Sequence, residues 1–296
     1  MRIIQPVDVT PAVLYSSNVA EDEYPPWTAG TYAQGDRRIL GHRVYEVLAE
    51  STSDEPLAGL VTVPPTWLDL GVTNRWRMFD DKVGSVTSHA GAVDVELQPG
   101  QVFNAVALLN LTGRDAVVTM TDPVDGVVYE RDLQLVDAGV TNWYDWFFAP
   151  IGRQADFVLL DLPAYGTATL RVRVENADDT AAVGELVLGR QVELGVALYG
   201  TGVGIIDYSR KSTDEFGVTT VVKRDYSKRC EFDVAVDTEL VGYVQRTLAG
   251  IRARPVVWIG DDAHEATLVY GYYRDFSISI STPSYSDATI TVEGLT

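Results

Sequence analysis

Val93-Asp-Val-Glu-Leu97-Gln-Pro99-Gly100-Gln-Val-Phe103-Asn-Ala-Val-Ala-Leu-Leu-Asn110-Leu-Thr112-Gly113-Arg-Asp-Ala116-Val-Val-Thr-Met120 decides the fold class of this chain. From Val93 to Leu97 apolar and polar side chains alternate, the period of a strand with one buried face. Pro99-Gly100 and Thr112-Gly113 interrupt the pattern where hairpin turns belong. Strand-like runs at 93–97, 103–110 and 116–120 are followed by others at 127–135, 156–161, 167–175 and 185–194. Seven short strands separated by turn signals describe an antiparallel β-sandwich or jelly roll over residues 73–194.

Outward from this centre the chain stays mainly all-β. Residues 1–72 form a separate small β-module by composition, rich in aromatics and glycines and closing on a Pro/Ser/Asp-containing stretch before Trp67. Residues 195–296 change character: strands at 218–226 and 230–236 precede the one convincing helix. Asp237 stands at its N-cap, Leu240, Val241, Val244 and Leu248 recur at helical spacing, and Gly250 closes it. Strands at 255–260, 267–280 and 288–292 follow, so a C-terminal β-sandwich or split barrel with one packed helix is expected.

The 296 residues carry 42 acidic and 23 basic side chains, a net charge of −19. Residues 1–189 hold 27 acidic and 12 basic residues, and residues 190–296 hold 15 and 11. Nucleic acid requires a basic face, and the acidic first two-thirds argues against one. No run of 18 or more apolar residues exists, so membrane insertion is not expected. Met1-Arg-Ile-Ile lacks the apolar core of a secretory signal, and Cys230, the single cysteine, allows no intrachain disulfide, so synthesis in a reducing cytosol is expected.

The residue types for chemistry are scattered. His42, His89 and His264 share no metal-ligand spacing, and Asp261-Asp262-Ala-His264 reads as a polar hairpin loop. Asp122 and Asp125 lack the further oxygen donors of a calcium loop and read as a turn. Gly200-Thr-Gly202-Val-Gly204 is followed by Ile205-Ile-Asp207, which does not start the helix a phosphate cradle needs. Backbone freedom between strands, or close approach of a neighbouring subunit, explains those glycines better. No Gly-x-Ser-x-Gly elbow occurs, and Cys230 reads as a packed strand residue. The expectation is a protein that is not an enzyme, with no catalytic residues, no metal and no cofactor.

The aromatic clusters point to binding instead. Trp27, Tyr32, Tyr45 and Trp67 are either the minimal core of the small module or, in part, a stacking platform. Trp143-Tyr-Asp-Trp146-Phe-Phe148, read as a strand, puts aromatics on both faces, one for the sandwich and one for an interface or groove. Trp76 and Phe79 read as the anchor between the first two segments, with Arg75 and Arg77 placed to pair with Asp80 and Asp81.

Two resemblances arise from these motifs. Trp27, Tyr32, Gly35-Asp36, Gly41, Tyr45 and Trp67 occupy the places of the motif residues in the small carbohydrate-binding modules of chitinases. Arg37-Arg38 departs from that family, which continues with an apolar β-residue. More of the chain resembles tail-tip and baseplate proteins of long-tailed bacteriophages. Thr66-Trp-Leu-Asp-Leu-Gly71-Val-Thr-Asn74-Arg-Trp76, Arg254-Pro-Val-Val-Trp258-Ile-Gly-Asp261 and Val269-Tyr-Gly271-Tyr-Tyr-Arg-Asp275-Phe276 carry that resemblance.

The second resemblance implies a structural virion protein at a siphophage-like tail tip, a homo-oligomer such as a trimer or hexamer around the tail axis. Its implied partners are tube, hub or baseplate subunits, with Trp143, Trp146, Trp258 and Tyr272 as interface aromatics. The first implies a rival: carbohydrate or receptor binding, with Trp27 and Trp67 stacking on host cell-surface glycan. A polysaccharide hydrolase with an appended module is a second rival.

Overall fold

A computed structural model describes residues 1–135, 143–148, 153–261 and 264–295. The chain is mostly β, in antiparallel sheets, as the alternation implies. Asp115–Asp122 shows why: Ala116, Val118, Met120 and Asp122 point inward and every intervening residue outward. It pairs with Gly126–Gln134 on one side and Thr169–Val183 on the other, and Thr87–Leu97 and Leu14–Ser17 complete a five-stranded sheet. Val93, Val95, Leu97, Leu170 and Val172 line its inner face with Ala116, Val118 and Met120.

The facing sheet is larger. Among the described residues it runs Phe157–Leu159, Ala105–Leu109, Glu185–Glu193, Arg2–Pro6, Val256–Ile259, Leu268–Ser279, Tyr285–Gly294, Tyr226–Asp237, Val196–Ala197, with Gly202–Asp207 also paired to Tyr226–Asp237. Its first strands close the sandwich, where Val106, Leu108, Leu186 and Leu188 meet the five-stranded sheet. Farther along, the same face is covered by the helix Val241–Gly250, whose Val244 and Leu248 pack on Phe232, Trp258 and Ile290. The opposite face curls around a third core containing Ile4, Ala107, Val187, Val257 and Tyr270. Lys228 Nζ, from near one end of the sheet, meets Asp156 Oδ2 beside the other at 2.5 Å, so the sheet closes into a half-barrel.

Arg2–Pro6 joins the two halves: Ile4 lies opposite Gln191 in one neighbour and Val257 in the other. The approach is close enough that a Cβ on Gly189 would come within 2.0 Å of the Gln5 carbonyl oxygen, which explains the glycine. The boundary expected near residue 194 therefore falls inside one continuous sheet, and the first 17 residues pair outside the small module. Asp237 caps the helical segment as expected, its carboxylate accepting from Glu239 N–H at 3.0 Å, with a 3-10 turn at Thr238–Leu240 leading into the α-helix.

Trp143–Phe148 is helical, not a strand. A six-residue run that is almost entirely aromatic has no period, so apolarity alone cannot separate strand from helix there.

The small module consists of Arg37–Leu40, Arg43–Val47 and Trp67–Val72 in one sheet, with Tyr32–Ala33 paired to Ser51–Thr52. It is tied to the sandwich through Glu21, whose carboxylate meets His42 Nδ1 at 3.0 Å and accepts from the Thr73 hydroxyl at 2.6 Å. The Trp76 ring lies 4.7 Å from the His42 ring and inserts into the sandwich core, which gives it the anchoring place read from sequence. Asp81 does not pair with Arg75 or Arg77; it accepts the Tyr270 hydroxyl at 2.5 Å.

Candidate functional site

The four module aromatics do come together, but as a core. Gly35, with φ of 83°, turns the chain after Tyr32–Ala33, and Asp36 fixes the turn by accepting from Ala33 N–H at 3.0 Å. This swings Tyr32 onto Trp67, edge to face with ring centres 5.7 Å apart. Trp67 is 1% exposed and its indole N–H donates to the Asp54 carbonyl at 3.1 Å. Tyr45 is equally buried, and Val47 completes the cluster.

Trp67 therefore cannot stack on a sugar, which corrects the binding role expected for it, and Tyr32 and Tyr45 belong to the scaffold. Trp27 alone of the four is half-buried at the rim, with its indole nitrogen enclosed and unpartnered.

Arg37 and Arg38, the departure from the carbohydrate-module pattern, explain part of this. Arg37 bridges Glu46 at 2.6 Å and the Tyr24 hydroxyl at 2.8 Å, with its guanidinium over the Tyr24 ring. Arg38 lies 4.7 Å from the centre of the Tyr32 ring.

The expected interface aromatics are also divided by the fold. Trp258 is fully buried, donates to the Gly271 carbonyl at 3.0 Å and packs edge-on to Tyr273, so it holds the second core rather than a partner. Tyr272, on the opposite side of its strand, is 40% exposed. Trp143 is exposed on its short helix; the Trp146 side chain lies outside the described residues.

A surface that sequence reasoning missed dominates the C-terminal half. Gly202–Asp207 and the first half of Tyr226–Asp237 leave the sheet as a hairpin that continues into a two-stranded ribbon, Arg210–Thr213 with Thr219–Val222. Every residue from 210 to 226 is exposed. Val203, Ile205, Tyr208, Phe216, Val221 and Tyr226 stand more than half in solvent, Phe216 at 91%. The turn is well formed: the Asp214 carboxylate accepts from Phe216 and Val218 N–H at 3.0 and 2.8 Å, and Gly217 takes the left-handed conformation. The signal that could have found this arm was the glycine-spaced Gly202-Val-Gly204 run and the β-branched Val218-Thr-Thr-Val-Val222, a strand sequence without the alternation that burial imposes.

Among the described residues the three histidines lie apart from one another. His42 contacts Glu21, His264 contacts Asp261 at 2.8 Å, and His89 stands apart near Asn18; Asp262 lies outside the described residues. Asp122 accepts from Val124 and Asp125 N–H and from the Thr167 hydroxyl, the bonds of a turn. Burial pushes the Cys230 thiol up to about 11, so the thiolate is scarce at neutral pH.

Glu185 is the most perturbed acid. It is buried, and desolvation, followed by the charges of Asp81 and Asp80, pushes it up to about 10. One of its oxygens is enclosed without a hydrogen-bond partner. Lys228 and Asp156 line a cleft of about 340 Å³ together with Tyr226, Tyr270 and Leu295. Among the described residues no group of three or more His, Cys, Asp or Glu is placed to hold a metal ion, and no helix is long and apolar enough to cross a membrane.

No protein-family model matches the chain, and no curated protein matches it in sequence.

Proposed function

We propose that this chain is a structural component of a bacteriophage tail tip or baseplate, working through protein–protein contacts with tube, hub or baseplate subunits and with copies of itself. The observation that carries this reading is the arm at 202–226. A two-stranded ribbon is at best marginally stable alone in water, and open strand edges with apolar side chains invite pairing with another chain. An arm of this kind gains most of its order when a partner covers it. The curled sheet and the sandwich supply a rigid body to carry it, and the acidic surface keeps the unassembled protein soluble.

The glycan-binding reading is weakened by the burial of Tyr32, Tyr45 and Trp67, which leaves Trp27 as its remaining support. The test is location: a gold-labelled antibody against this chain is applied to intact phage particles and imaged by negative-stain microscopy. Label confined to the tail end supports the reading, and particles that lack the chain altogether refute it.

A further inference from the structure

We propose that the arm seats on the edge strand Gly126–Gln134 of a second copy of this chain, adding its ribbon to the five-stranded sheet and building a head-to-tail assembly. This deepens the assembly reading above and rests on it. Residues 208–224 carry four basic and two acidic side chains, in a chain whose total is −19. The four, Arg210, Lys211, Lys223 and Arg224, are exposed and make no ion pair within 4.0 Å among the described residues, although the charge of Lys223 also acts on Asp207. They cluster where the ribbon begins, Arg210 lying opposite Val222 and Lys211 opposite Val221. The occupant they select is acidic, with an open strand edge for the ribbon to join.

The chain itself offers one edge of that description. Gly126–Gln134 ends the five-stranded sheet, and among the described residues its backbone pairs only with Asp115–Asp122. Its Glu130 and Asp132 are exposed on the solvent face and make no ion pair among the described residues. Among the described residues, the other edge strands of three or more residues outside the arm have their acids committed or have none. At Trp67–Val72, Asp69 is held by Arg43 at 2.8 Å. Beside Phe157–Leu159, Asp156 is held by Lys228 and Asp161 accepts from Tyr129 at 2.7 Å. Leu14–Ser17 contains no acid, and Arg37–Leu40 is itself basic.

The geometry has a consequence for symmetry. Arm and acceptor lie on different sheets, so the contact joins two unlike patches; one-way donation, unlike a reciprocal exchange of arms in a two-fold dimer, leaves an open arm and an open edge for further copies. Repetition of a heterologous contact gives a ring if the rotation closes and a filament if it does not. Strands of four residues span about 13 Å, well within the roughly 30 Å of a nine-residue edge, so the acceptor is long enough for the ribbon.

The test is a charge exchange on the purified full chain, read as molar mass by size-exclusion chromatography with light scattering. The wild type forms an oligomer larger than a dimer whose mass falls when salt is raised from about 0.05 to 0.5 M, because exposed charge contacts are screened. Lys211→Glu with Arg224→Glu weakens association at least tenfold, and Glu130→Lys with Asp132→Lys does the same. All four substitutions in one chain restore it. Circular dichroism confirms that each variant is folded, as expected for exposed positions. A monomeric wild type, an arm variant that still oligomerises, or a folded four-fold variant that stays monomeric each overturns the proposal. Location in the particle is read separately, so a tail-end protein with arm-independent association would leave the functional reading standing and remove this one.

Discussion

At the residue scale, Trp67 and Trp27 have opposite parts in the same module. Trp67 fills the centre against Tyr32 and Tyr45, so Trp67→Ala leaves a cavity and is expected to cost about 3–5 kcal/mol. Faster proteolysis of residues 24–72 than of the sandwich would show it. Trp27→Ala, at the rim, leaves the module folded. Titration of the wild type with chitooligosaccharides should not change tryptophan fluorescence, since Trp67 is enclosed and Trp27 is left at the rim without a second ring to complete a platform; saturable quenching would return the glycan reading.

Glu185 gives a pH prediction with a definite sign. Its folded pKa, pushed to about 10, lies above the ordinary 4.5, so between those values the folded state holds a proton that the unfolded state has lost. Stability from this group is therefore complete below about 4.5 and declines as pH rises toward 10. Glu185→Gln should flatten the fall in melting temperature between pH 5 and pH 8; an unchanged slope would place the titration elsewhere. Cys230, buried with its thiol raised, should resist thiol reagents in the native state and react at once in denaturant.

At the scale of elements, what could be read from sequence followed burial. Asp115–Asp122 and the Val93–Leu97 half of Thr87–Leu97 alternate because one face of each meets the core, and that alternation is written in their residues. Trp143–Phe148 was illegible for the opposite reason: with Asp145 its single polar residue among five aromatics, its run gave no period. The arm carries β-branched residues but buries none of them in its own chain, so its strands lack the imprint that a core leaves. The place of Arg2–Pro6 between Glu185–Glu193 and Val256–Ile259 depends on pairing across most of the chain, which no local pattern encodes. Of the candidate site, the module cluster was legible as a group, but which rings were core depended on the turn at Gly35 and on Arg37 and Arg38. Hydrogen exchange should separate these elements. Amides of 210–222 should exchange quickly in dilute protein and slow on assembly, whereas those of Ala105–Leu109 stay protected in both.

At the scale of the whole molecule, the continuous sheet means that the C-terminal hundred residues cannot be removed cleanly. Arg2–Pro6 would lose its Val256–Ile259 partner and Ile3 and Trp258 their shared core, so such a truncation reports on folding rather than on any single contact surface. The arm, by contrast, can be excised, because Tyr208 N–H and the Asp225 carbonyl already meet at 3.2 Å across its base. Replacing residues 209–224 by Asn-Gly closes the hairpin with a favoured two-residue turn and leaves the cores intact. The most direct measurement of the assembly account is the amount of this armless chain in particles produced by cells that make no other version of it. The armless chain should be folded and soluble yet missing from particles, or should yield tails without tips; normal particles containing it at wild-type levels would rule out the arm as the assembly element.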